Sequence, residues 1–250
     1  MTVAEKLQNI AENVPRIYDA GKKAEYDAFW DSFQEGGAVK DYSSTFGAGW
    51  TALTFRPKHD VITSNAYMMF RGSKMNIDLE AHLQSLGVSL DLSQAINTQY
   101  IFNTSEFTRV GKVDLSSSSG SYPLDSVFTG CRKLVTIDEI VLKTGSKGEI
   151  NETCFKDCIA LESLSLTGMI TTLIDLQWST KLSQASIMSV LNAAHEGGDY
   201  FNDESKYPTV RLSLAAVNKA YETSEGANDG SSSKSWEIDV NNYHCQIELI

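Results

Sequence analysis

The sequence predicts an α/β fold: a short solenoid of repeats with a parallel strand ladder, N-terminal helices and an α/β C-terminal cap. Three observations predict it. Apolar residues recur at a fixed offset of 27 through the middle of the chain, the stretch before them has helical spacing, and the stretch after them alternates helix-like and strand-like runs. The expected division is 1–36 as a helical anchor or oligomerisation segment, 37–182 as the repeats and 183–250 as the cap.

At 250 residues and 42% hydrophobic content the chain can bury a sizeable core. A net charge of −11 leaves few cations to neutralise phosphates, so no nucleic-acid partner is expected. Glu5, Lys6, Gln8 and Asn9 within the first ten residues leave no apolar stretch for an export signal, so secretion is not expected. Nowhere do about 18 apolar residues run together, so no membrane insertion is expected either. Four cysteines, Cys131, Cys154, Cys158 and Cys245, fall far short of a disulfide scaffold and read as buried thiols.

From Thr2 to about Phe33, residues Leu7, Ile10, Val14, Ile17, Gly21, Ala24 and Ala28 alternate steps of three and four, the seam of a heptad. Pro15 lacks the N–H of a helix interior, which predicts two helices or one kinked helix. An aromatic cluster, Tyr26, Phe29, Trp30 and Phe33, then runs into Gly36-Gly37, as in a helix that docks and stops. Such a helix could pack on its own domain or self-associate along the seam. Farther on, Ala52 to Phe55 reads as a short strand between Gly49 and Pro57.

The repeat is the main signal. Phe128, Cys131, Leu134, Ile137, Ile140 and Leu142 each stand 27 residues after Ile101, Thr104, Phe107, Val110, Val113 and Leu115. The same offset carries the first four onto Phe155, Cys158, Leu161 and Leu164, after which Leu166 continues one residue out of step. An upstream copy is suggested by Phe70-Arg-Gly-Ser73, which parallels Phe102-Asn-Thr-Ser105, and by the alternating Met75, Ile77 and Leu79. A degenerate downstream copy is suggested by Leu173, Leu176 and Leu182. Steps of three in the first half of each unit suit a helical or 3₁₀ turn, and the closing Ile-x-Leu suits a strand. One unit cannot bury its own apolar face, so stacked copies should share a core and align their strands in parallel.

Ser116 to Ser121, Gly145 to Gly148 and Glu196 to Gly198 read as solvent-facing links. Beyond the repeats, Ser183 can cap a helix to Ala194 whose face is Ile187, Val190, Leu191 and Ala194. A strand at Thr209 to Leu214, a helix at Ala215 to Tyr221, a polar loop at Thr223 to Lys234 and strands at Trp236 to Val240 and Cys245 to Ile250 complete the expected cap.

Phe128-Thr-Gly-Cys131-Arg-Lys-Leu134 and its echo Phe155-Lys-Asp-Cys158-Ile-Ala-Leu161 resemble the BspA-type leucine-rich repeat, over roughly Phe70 to Leu182. Ala20-Gly-Lys-Lys-Ala-Glu-Tyr-Asp-Ala-Phe-Trp30 is also similar to the opening helix of repeat proteins encoded in phages and prophages of gut bacteria. The resemblance implies adhesion or recognition through the repeat surface and carries no catalytic residue. Host-cell members of that family are generally secreted and carry export or anchoring segments, neither of which is read in this chain; a virion component needs neither.

Catalytic chemistry is not expected. His59, His82, His195 and His244 are scattered, and the adjacent pairs His59-Asp60 and His244-Cys245 would point to opposite faces of a strand. Cys154 and Cys158 form one close pair where a structural zinc site usually shows two, so no metal is expected. Gly47-Ala-Gly49 lacks the third glycine of a phosphate loop, so no nucleotide or other cofactor is expected. Asp91 and the pair Asp138-Glu139 read as solvated carboxylates.

The expectation is therefore a non-enzymatic phage virion protein of the tail, baseplate or fibre, assembled in the host cytoplasm. It would bind a protein or host-surface glycan through its repeats, as a homo-oligomer with a trimer favoured. The alternative is a bacterial adhesin or cytoplasmic interaction module with the same fold. No ligand-binding residue is identified. The scaffold expected to carry the surface is Phe107, Val110, Val113, Leu115, Phe128, Cys131, Leu134, Ile137, Ile140, Leu142, Phe155, Cys158, Leu161, Leu164 and Leu166.

Overall fold

The computed structural model describes residues 24–25, 27–34, 39–118, 125–143, 153–201, 203–222 and 243–250. The seam up to Gly21, the links at 119–121 and 145–148 and the expected strand at 236–240 lie outside them. Among the described residues the fold is mixed α/β, with three small sheets, each of three parallel strands. The first sheet holds β1 (Lys40–Asp41), β2 (Val61–Asn65) and β3 (Leu90–Asp91). The second holds β4 (Arg109–Asp114), β5 (Thr136–Val141) and β6 (Ser163–Thr167), and the third β7 (Ile174–Leu176), β8 (Thr209–Leu212) and β9 (Gln246–Leu249). The helices are α1 (27–33), α2 (Leu79–Leu86), α3 (Gln184–Phe201) and α4 (Leu214–Glu222).

Between the strands, the chain makes β-turns that stack on one another. Phe46, Phe70, Phe102, Phe128 and Phe155 form a column of buried rings with successive centroids 5.4, 5.5, 5.5 and 5.5 Å apart. Backbone bonds hold the tiers at that spacing: Phe46 N–H donates to Met69 O, Phe70 to Ile101, Phe102 to Val127 and Phe128 to Cys154, at 2.7, 2.7, 3.0 and 3.1 Å. Within each tier, i→i+3 bonds such as Ser105 N–H to Phe102 O close a turn. Left-handed residues then stop the turn from winding into a helix. They fall in two columns, Ser44, Met68, Tyr100 and Ser126, then Gly72, Thr104, Gly130 and Asp157. For the non-glycine members this geometry costs about 1–2 kcal/mol each, which the tier-to-tier bonds must offset.

The column corrects the sequence alignment of the first unit. Phe128 stacks on Phe102, and Cys131 faces Ser105 with sulfur and oxygen 3.6 Å apart, so Phe102 and Ser105, not Ile101 and Thr104, are the counterparts. One extra residue lies between Cys131 and Leu134 relative to Ser105 and Phe107, and the strands beyond it return to an offset of 27: Val110 pairs Ile137 and Val113 pairs Ile140. Ile140 then pairs Leu166, with a register shift after Ile137. The residue out of step at Leu166 is thus the end of a β-bulge, which lets Ile137 and Ile140 both face inward three residues apart, while β6 buries Leu164 and Leu166 at ordinary alternation.

Three local expectations are overturned. Ala52 to Phe55 is a turn, because the Thr54 hydroxyl bonds to the Thr51 backbone and Phe55 N–H reaches Thr51 O, giving the backbone a local alternative to a ladder. Leu79, read as the end of a strand alternation, begins α2: Asp78 accepts from Ala81 N–H at 2.8 Å and Gly87 closes the helix in the left-handed region. Glu196 to Gly198 is not a link but the interior of α3, which runs to Phe201. Its glycines are there because other backbone touches the helix: a Cβ at Gly197 would overlap the Ile170 carbonyl, and one at Gly198 the His244 carbonyl.

Helix α3 covers the outer edge of β6. Ser186 and Ser189 accept from Leu164 and Leu166 N–H at 2.9 and 2.7 Å, so two serine hydroxyls stand where a further strand would pair. Ser183 caps the helix by accepting from Ser186 N–H. Between β6 and α3 in the chain, β7 joins the third sheet rather than extending the second, so Leu176 is buried there. Arg211 on β8 bonds Asp175 of β7 at 3.1 Å and Glu248 of β9 at 2.8 Å, tying its three strands together.

Candidate functional site

All fifteen scaffold residues from Phe107 to Leu166 are buried in one cluster. Because inward positions on β4 to β6 are apolar, the remaining positions form a solvent-facing surface that one parallel sheet holds rigid. Its side chains are paired from strand to strand. Arg109 makes a two-pronged bond to Asp138 at 2.8 and 2.7 Å and reaches Asp78 at 3.5 Å. These carboxylates, Asp138 first, hold the guanidinium pKa above its ordinary value. Lys112 lies 3.5 Å from Glu139, which also accepts from the Thr167 hydroxyl at 3.2 Å. On the strand edge beside α2, Gly111 leaves room for Glu80, whose carboxylate a Cβ would overlap.

The turns carry a second polar surface. Glu106 accepts from Lys133 at 2.8 Å and Lys74 at 3.1 Å, and these two ammonium groups, Lys133 first, hold its carboxyl below its ordinary value. Thr104, Ser105, Gly130 and Arg132 join these three around a shallow cleft of about 280 Å³. Tyr100 receives Arg71 over its ring at 5.8 Å and meets Tyr67 edge-on at 6.1 Å. A second cleft of about 320 Å³ lies between β2 and the end of α2, lined by Lys58, His59, Asp60, Ile62, Gly87 and Val88.

Cys131 and Cys158 donate to Phe102 O and Phe128 O at 2.9 and 3.1 Å. Burial pushes the Cys131 thiol up to about 11 and the Cys154 and Cys158 thiols up as well, so at neutral pH they are protonated core side chains. Asp60 accepts both the N–H and hydroxyl of Ser89, at 2.7 and 2.9 Å, and so joins β2 to β3. His82 Nε2 lies 2.7 Å from Phe55 O. The histidines are scattered in the sequence, yet the fold brings His195 and His244 together, with ring centroids 4.8 Å apart. A separation of 49 residues carries no local signal of that contact.

No family model, no curated protein and no solved structure matches this chain. No helix among the described residues is long and apolar enough to cross a membrane.

Proposed function

We propose that this chain is a non-enzymatic binding protein whose repeats form a short leucine-rich-repeat solenoid, recognising a protein or glycan through the solvent-facing side of its strands and turns. One observation supports this best: core positions and surface positions repeat together, so a continuous spine of buried rings stands behind a paired polar face. Such a face is rigid, and its outward residues can change without disturbing the core. The setting we infer is a phage particle, as part of a tail, baseplate or fibre, on the likeness of the Ala20 to Trp30 segment and of the repeats themselves. A bacterial adhesin or interaction module is the alternative.

The test is binding of the purified chain to envelope glycans and surface proteins of gut bacteria, against a variant carrying Lys112→Glu and Thr167→Arg on the sheet face. Saturable binding by the wild type and its loss in a variant with an unchanged melting curve support the reading. Equal binding by both would refute the assigned face. Mass spectrometry of purified phage particles separates the virion setting from the alternative, and light scattering checks for a trimer.

A further inference from the structure

His195 and Asp199 stand one turn apart on α3, and His244 enters from the residues just before β9. One ligand atom from each lies within 4.8 Å of the other two. His195 Nε2 is 3.6 Å from Asp199 Oδ2, and His244 Nδ1 is bonded to Asp199 Oδ1. The close approach depends on Gly198, where any side chain would collide with the His244 backbone. Aromatic neighbours hold both imidazoles: Tyr207 stacks on His244 at 5.4 Å, and Tyr243 meets His195 edge-on at 5.5 Å while donating to Asn192.

We propose that His195, Asp199 and His244 bind one first-row transition-metal dication, of which zinc is the representative, and so fasten the last strand to α3. Two imidazole nitrogens and one carboxylate oxygen suit zinc, cobalt or nickel rather than calcium or magnesium, which take oxygen cages. Asp199 and His244 are about half exposed, so water can complete the shell. Coordination at ~2.0–2.2 Å places the ion between the three groups and replaces the direct His244 Nδ1–Asp199 Oδ1 bond. It also exchanges one bond for another. His195 Nδ1 accepts the His244 N–H at 3.0 Å, which leaves the proton of the neutral ring on Nε2. When Nε2 takes the metal, that proton moves to Nδ1, and the His244 N–H turns to water. The link closes a loop of 49 residues, the kind of long closure in which a metal clip gains most.

The test uses the full chain, freed of metal by chelation and titrated with zinc by calorimetry, with thermal melts alongside. The expected result is one ion per chain, a raised melting temperature, and a visible absorption band of low-coordinate geometry when cobalt replaces zinc. His244→Ala and Asp199→Asn should each weaken zinc by more than the ~100-fold that outer-shell changes reach, while His59→Ala leaves it unchanged. His195→Gln, on the helix surface, gives the same reading if His244→Ala does not fold. Zinc binding that is absent from the wild type, or equally strong in His195→Gln and Asp199→Asn, overturns the proposal.

Discussion

Phe128 has a ring on either side, Phe102 and Phe155, each with its centroid 5.5 Å away. Backbone bonds fix the tiers above and below, so the space left by truncation cannot close fully. Phe128→Ala should therefore destabilise the chain by about 3–5 kcal/mol in denaturant unfolding; a loss under ~1 kcal/mol would mean that the neighbours collapse into the gap. The thiols give a second residue-scale expectation. Cys131 is fully buried, bonded to a carbonyl, and its pKa is raised to about 11, so iodoacetamide at mildly alkaline pH should label it only after unfolding. Labelling of Cys131 in the native protein, read by peptide mass spectrometry, would contradict its burial.

Among the elements, those with apolar spacing of their own are legible in the sequence. Strands β4, β5 and β6 announce themselves through Val110, Ile137 and Leu164, and α3 through Ile187, Val190 and Leu191. The short strands β1 and β3, of two residues each, offer no pattern long enough to read and exist only because neighbouring tiers pair with them. The extension of α3 through Gly197-Gly198 was illegible for a related reason: those glycines answer to backbone that is distant in sequence. Likewise, the pairing of Arg109 with Asp138 and the meeting of the two histidines depend on which tiers touch, which no single segment encodes. The cover of β6 by α3 gives the element-scale prediction. Replacing Ser186 and Ser189 with Ala leaves the Leu164 and Leu166 N–H groups without their acceptors, at about 1–3 kcal/mol each where water cannot substitute. Hydrogen exchange at those two amides should accelerate, and unchanged exchange would remove the serines from the edge's protection.

At the scale of the molecule, polar links between tiers make stability depend on acid. Asp41, bonded by Ser43 and by Asn65 of the next strand, and Glu106, bonded by Lys133 and Lys74, both have pKa values below their ordinary 3.8 and 4.5. A depressed carboxyl stabilises the fold above the unfolded-state pKa and loses that contribution as pH falls through the folded one. Melting temperature should accordingly be level near neutrality and drop in acid below the ordinary carboxyl range, and Glu106→Gln should flatten part of that drop. A variant with the wild-type acid profile would show that Glu106 has no share in it. The serine seam along β6 also bears on how a chain of this kind can change in length. A duplicated module of about 27 residues could enter between β4 and β5, where each side meets a neighbour of the same register. Outboard of β6 the hydroxyls of α3 already occupy the pairing groups, so no added strand can pair on that edge while the helix stays docked.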